Sequence, residues 1–184
     1  MNGFIGHFRT ITRHRHQVIR HCRKAGIRWR GLLHDLSKYS PTEFFEGARY
    51  YSGDKSPNVG ARAENGYSRA WLHHKGRNRH HFEYWTDYNP RAHKVCPVKM
   101  PAVFLAEMFC DRVAASKIYQ GEAYNDRHPL EYFLAGKDSR FIHPETSDEL
   151  ERLLRILADE GEEKAFAAVR EMLREEKRKK RQKN

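Results

Sequence analysis

The chain has 184 residues, 39% hydrophobic and 32% charged, with a formal net charge of +11. That length suits one domain with a real core and excludes two full-sized ones. No apolar run approaches the roughly 20 residues of a membrane helix, the start lacks a secretory leader, and three cysteines without a CxxC pair argue against a disulfide framework and for a reducing cytoplasm.

Residues 10–25, TITRHRHQVIRHCRKA, form the first expected helix, with Thr10 or Thr12 at its start and Gly26 as its stop. Ile11, His14, Val18, Cys22 and Ala25 recur at spacings of three and four, so His14 shares the inward face. His16 and His21 are expected in solvent. A second helix is expected from Ile27 to Lys38, with Trp29, Leu32, Leu33 and Leu36 turned inward. Ser40, Pro41 and Glu43 then read as a cap, a first-turn proline and a first-turn acid opening a third helix to about Tyr51.

Residues 52–66, SGDKSPNVGARAENG, are loop by composition and a candidate lid. Helix resumes from Tyr67 through Trp71 and is interrupted or loosened at Gly76. The stretch HHKGRNRHH, residues 73–81, packs four histidines among Lys75, Arg77 and Arg79. It is either a polar turn or a set of metal ligands. His7, His93, His128 and His143 are scattered and read as surface.

A linker containing prolines, DYNPRAHKVCPVKMP, leads to the clearest helix, residues 101–120. Phe104, Met108, Asp111, Ala115 and Ile118 define its buried stripe, and an aspartate on such a line is anomalous. An unpaired buried carboxylate costs several kcal/mol, so Asp111 calls for a cation or a hydrogen-bond donor. HPLEYFLAG is a short helix closed by Gly136. Two amphipathic helices follow, separated by Gly161, with Ser147 and Asp148 at the start of the first. Residues 170–184 hold eight Lys/Arg and three Glu, a net +5, so nearly half of the excess charge sits in this tail. No alternating run is long enough for a sheet. The expected class is all-α, with residues 1–145 as a helical metal-binding domain and residues 146–184 as C-terminal helices and basic tail.

His14, the adjacent His34 and Asp35, and Asp111 thus bring imidazole and carboxylate from three helices toward one interior. That donor mixture suits Mn, Fe, Co, Ni or Zn. The series resembles the H…HD…D signature of the HD superfamily of metal-dependent phosphohydrolases. His14 with Val18 resembles that family's HxxxV turn, LLHDLSK resembles its LLHDxGK with Ser37 in place of glycine, and Asp111 resembles its final ligand. GLLHDLSKYSPTEF with AWLHHKGRNRHHFEYW is similar to a bacterial and phage branch of the superfamily. The resemblance spans roughly residues 8–120.

It implies an HD-like helical bundle holding one or two divalent transition-metal ions. Extra ligands are expected from His74 first, then His81 and His80, with His73 last. The implied activity is hydrolysis of a phosphate ester in a nucleotide or similar small metabolite. Asp35 or Glu43 would orient the attacking water, and Lys38, Lys75, Arg77 or Arg79 would contact phosphate. Two other readings stand beside it. One is a di-iron oxygenase. The other is a metal-stabilised module binding nucleic acid or protein through the basic tail, which is the less favoured partner.

Overall fold

The computed structural model describes residues 3–182; the ends of the chain, including positions 183 and 184 of the basic tail, lie outside the described residues. The fold is all-α. Nine helices are described: α1 Gly3–Lys24, α2 Arg28–Leu33, α3 Pro41–Arg49, α4 Pro57–Asn65, α5 Arg69–Arg77, α6 Ala102–Gln120, α7 His128–Ala135, α8 Pro144–Glu160 and α9 Glu162–Gln182. Between α5 and α6 lies an antiparallel hairpin, β1 Thr86–Asn89 and β2 Lys94–Pro97, with Asp87 opposite Cys96. No helix among the described residues is long and apolar enough to cross a membrane.

One core unites the two ends of the chain. Val18 and Cys22 of α1 meet Leu105, Phe109 and Val113 of α6, Phe133 of α7, Leu150, Leu153, Leu154 and Leu157 of α8, and Phe166 and Val169 of α9. Each such Leu or Phe contributes roughly 1.5–3 kcal/mol by leaving water, so packing rather than helix propensity holds the bundle. The C-terminal pair α8–α9 is therefore part of the same core as α1 and α6. Glu176 of α9 also accepts a hydrogen bond from the backbone N–H of Ala102, at 2.9 Å, in the first turn of α6. An acceptor there satisfies one of the free donors of a helix start.

Several sequence expectations change. The stretch 27–38 is not one helix. It breaks after Leu33, and Trp29, Leu32, Leu33 and Leu36 are exposed. Only Gly31 of α2 is buried, pressed so close to α1 that an added Cβ would lie 2.6 Å from Cys22 Cβ. Contact through a glycine brings the α2 backbone onto α1 and leaves its large side chains outside. Residues 57–65 of the expected loop are helix α4. Gly76 lies inside α5, which ends at Arg77. The linker forms a hairpin. α8 starts at Pro144, ahead of Ser147.

Two histidines expected at the surface are buried. His21 is sealed against the backbone of α6, its Nδ1 lying 3.1 Å from the Cys110 carbonyl. His7 lies over Gly47 of α3.

Candidate metal centre

The site begins with a break in the backbone. α2 ends at Leu33, His34 takes an extended ψ of 130°, and Asp35 turns left-handed at φ 53°. Within a continuous helix successive side chains diverge by about 100°. This kink instead sends both His34 and Asp35 inward, each 1% exposed. Aspartate tolerates the left-handed region better than most residues. Arg15 of α1 braces the break by donating from Nε to the His34 carbonyl at 3.2 Å and from its guanidinium to the Leu32 carbonyl.

α1 and α6 close on this corner from the other side. His14 Nε2 lies 2.9 Å from Asp111 Oδ1, and His34 Nε2 lies 3.4 Å from the same oxygen. α5 adds His74, whose Nε2 is 3.2 Å from Asp35 Oδ1. The turn after α5 adds His80, with Nε2 3.5 Å from that same Asp35 oxygen, and His81, whose ring lies 4.1 Å from that of His80.

Two four-residue groups result, each with its donor atoms within 4.8 Å of one another: His14, His34, Asp35 and Asp111, and Asp35, His74, His80 and His81. Asp35 belongs to both. These buried clusters can hold metal. His34 Nε2, Asp35 Oδ1, His80 Nε2 and His81 Nε2 are sealed from solvent and make no hydrogen bond among the described residues; Asp35 Oδ2 is sealed too, with the Lys38 ammonium 2.7 Å away. Lone pairs that converge without hydrogen-bond geometry are the expected arrangement around a cation and a costly one without it.

The charge balance points the same way. Asp35, Glu43, Glu107 and Asp111 bring four carboxylates, against Lys38, 2.7 Å from Asp35, and Arg30, 2.7 Å from Glu107. Four against two leaves two negative charges, an excess that favours a bound cation. Burial pushes the Asp35 carboxyl up, but His34, Lys38 and His74 outweigh it and hold it well below the usual carboxylate range. Burial acts on Asp111 likewise and is outweighed by His14 and His34. Burial and then the neighbouring His80 and His74 press His81 well below an ordinary histidine, keeping its lone pair free. His34 goes up in spite of its burial because Asp35, Asp111 and Glu107 surround it. A proton there answers the same excess of negative charge that a divalent ion would.

A second layer fixes the imidazoles. The Nδ1–H of His34 donates to Glu107 Oε1 at 3.1 Å, and His80 Nδ1 lies 3.5 Å from that oxygen. Arg30 holds the other Glu107 oxygen, with Nε at 2.8 Å. His74 Nδ1–H donates to Glu43 Oε2 at 2.7 Å, and His73 to Glu43 Oε1 at 2.6 Å. With Nδ1 of His34 and His74 engaged, Nε2 is the nitrogen turned to the centre, as in metal sites backed by carboxylates. Glu107 can also be grouped with His34 and His80 as a ligand set. Its contacts with their Nδ1 atoms and with Arg30 suit a backing role better.

His14, Lys38, Glu43, His74, His81 and Asp111 line a cavity of about 920 Å³; His34, Asp35 and His80 lie behind them. Met108, Ala115 and Ile118, expected on the buried stripe with Asp111, line this cavity too, and α4, from the expected lid, forms part of its wall. His14, His34, Asp35, His74, His80, His81 and Asp111 are thus brought together.

Other expected roles change. Glu43 has both oxygens occupied by His73 and His74, an arrangement that suits a brace for His74 better than a base for water. Lys75, Arg77 and Arg79 do not line the cavity. Arg77 is exposed and bonds back to the His73 carbonyl at 3.4 Å, while Arg79 lies over Tyr84 and Phe104 at 5.6 and 5.9 Å. α5 runs unbroken through Gly76, so one face carries His74 inward and these cations stay outside. The basic side chains on the cavity wall are Lys38, Lys55, Arg62, Arg112 and Arg140. Glu107 is a further residue of the site that the sequence reading does not pick out. Glu107 precedes Asp111 by four residues, so the two share a helix face, and that spacing was the available signal.

A family model described as "Family of unknown function (DUF5662)" matches residues 3–156. No curated protein and no solved structure matches the chain. With most of its length matched, and with every residue of the two ligand groups inside the matched span, the chain belongs to the DUF5662 family.

Proposed function

We propose that the chain is a metal-dependent phosphohydrolase of the HD type, acting on a phosphate ester in a nucleotide or similar small metabolite. One observation carries the reading: Asp35, next to His34 at a backbone kink, belongs to two four-residue ligand groups at the wall of a cavity of about 920 Å³. His14, His34, Asp35 and Asp111 would hold one divalent ion and Asp35, His74, His80 and His81 a second. Mn, Fe, Co, Ni and Zn all suit such donors. A bound ion of this kind supplies Lewis acidity and a hydroxide source at neutral pH.

The protein's own groups supply the rest. Lys38 lines the cavity beside Asp35 and stays cationic, because Asp35 and Asp111 hold its ammonium above the ordinary lysine range despite burial. It is placed to meet phosphoryl oxygens where charge grows. Glu107 and Glu43 fix the imidazoles, so that little reorganisation is needed during reaction.

The test is elemental analysis of the purified protein with a screen of chromogenic phosphomonoesters and phosphodiesters after loading with each metal. Turnover that disappears in Asp35→Asn supports the reading. Full metal content in Asp35→Asn would show that the site is wrongly placed.

A second reading rests on the histidine-rich group of His74, His80 and His81 around a shared carboxylate, a donor set that also suits a di-iron centre activating oxygen. Coloured, iron-loaded protein that consumes oxygen with a reductant, and cleaves no phosphate ester, would favour it.

A further inference from the structure

Two arginines on the wall of the same cavity have no counter-ion. Arg112 follows Asp111 on α6 and makes neither a hydrogen bond nor an ion pair through its side chain among the described residues; its Nε is sealed from solvent and unpartnered. Arg140 comes from the segment after α7 and donates to the backbone carbonyls of Phe133 and of Tyr132, the latter at 3.1 Å. Both guanidiniums lie by one ring, that of Phe133, at 6.0 and 5.1 Å. Both line the cavity. Two like charges held together on a cavity wall repel each other unless an anion joins them.

The Phe133 and Tyr132 carbonyls position Arg140. An added Cβ at Gly136 would lie 2.9 Å from an Arg140 terminal nitrogen, so a side chain there would shift that guanidinium. Ser116, one helical turn beyond Arg112, lines the same wall and makes no side-chain hydrogen bond among the described residues, leaving a hydroxyl free to donate. Asp111 and Glu83, which also line the cavity, form no ion pair with either arginine among the described residues, and Glu83 keeps a buried Oε2 without a hydrogen-bond partner.

We propose that Arg112 and Arg140 form an oxyanion subsite that receives a phosphoryl group of the substrate, the role for which Lys75, Arg77 and Arg79 are misplaced. A planar guanidinium presents paired N–H donors that match phosphate oxygens, and two of them match the charge of a phosphoryl dianion. The proposal rests on the phosphohydrolase reading for the identity of the substrate. The presence of the subsite does not depend on turnover.

The experiment is calorimetric titration of metal-loaded protein with inorganic phosphate, comparing wild type with Arg112→Met and Arg140→Met and checking metal content in each. Each variant should keep its metal and weaken phosphate binding at least tenfold, the loss expected for a charge-assisted hydrogen bond. Should Arg112→Met fail to fold, Arg140→Met decides. Wild-type affinity in either folded variant overturns the proposal, because phosphate would then be held by the metal and Lys38 alone. Arginine-dependent phosphate binding in a protein that turns over no phosphate ester would leave the subsite standing and remove the phosphohydrolase reading.

Discussion

The Nε2 of His34 lies 3.2 Å from Oδ2 of Asp35, the next residue in the chain, and makes no hydrogen bond to it. Two neighbours can face one centre only because Asp35 is left-handed, at φ 53°. Asparagine tolerates that conformation nearly as well as aspartate, and alanine pays about 1–2 kcal/mol for it. Asp35→Asn and Asp35→Ala should therefore both lose metal by elemental analysis. In thermal melts of metal-free protein, Asp35→Ala should unfold several degrees below Asp35→Asn. Equal midpoints would show that the kink carries no strain.

The shared carboxylate makes stoichiometry diagnostic. With two ions bound, His14→Ala removes a donor from one group only and His81→Ala from the other only. Each should reduce the metal content from two ions per chain to about one, while Asp35→Asn removes both. A wild type that never exceeds one ion, lost equally in His14→Ala and His81→Ala, would mean a single centre.

Glu107 does not line the cavity of about 920 Å³, yet it should matter almost as much as a ligand. Its carboxylate meets His34 Nδ1 and Arg30, and its 1% exposure leaves it no water to fall back on. Glu107→Gln keeps the shape and weakens the hold on the imidazole. Competition with a chelator should show about a 10–100-fold loss of metal affinity. Arg30→Met should lose less, because the contact to His34 survives. No change in Glu107→Gln would reduce this layer to packing.

The parts of the site legible in the sequence are those where periodicity and chemistry conflict. His14 and Asp111 stand out because each interrupts an apolar face of a long helix, and the HD pair stands out as a motif. Only its four-residue spacing from Asp111 marks Glu107 in the sequence, and that signal is weak because α6 is packed on more than one side. Leu105, Ala106, Met108, Phe109 and Cys110 are all buried around it, and no single stripe marks the face that carries the acid. The same limit explains α2: its leucines fit a helical stripe, but the break that makes the site ends the helix early and leaves them outside. In α4 the signals were present, with Pro57 at the start and Gly66 at φ 77° closing the end, but its glycine-rich composition reads as loop. The arginines of residues 73–81 were legible as charge only, because which way they point depends on where α5 ends.

Two buried histidines outside the centre set a pH dependence of stability. His21 is complete as a neutral ring: Nδ1–H donates to the Cys110 carbonyl at 3.1 Å, and Nε2 accepts from the Gln17 amide at 3.1 Å, with Arg20 donating to the other end of that amide at 3.4 Å. A second proton on the ring would face a donor. Burial, and then the lysines Lys117 and Lys24 against the opposing Cys110 bond, take its pKa from 6.5 to about 4. Burial and Lys38 do the same for His7, also to about 4. Between these values the unfolded chain binds protons that the folded chain refuses. Stability is therefore full above about pH 6.5 and falls as pH drops toward 4, by up to about 3 kcal/mol for each ring across the whole window. Urea unfolding of the Asp35→Asn protein, in which metal loss no longer contributes, should show a lower midpoint at pH 5.0 than at pH 7.5. His21→Gln keeps a donor for the Cys110 carbonyl but cannot titrate, so in that background the difference should shrink. An unchanged difference would place the acid sensitivity elsewhere in the fold.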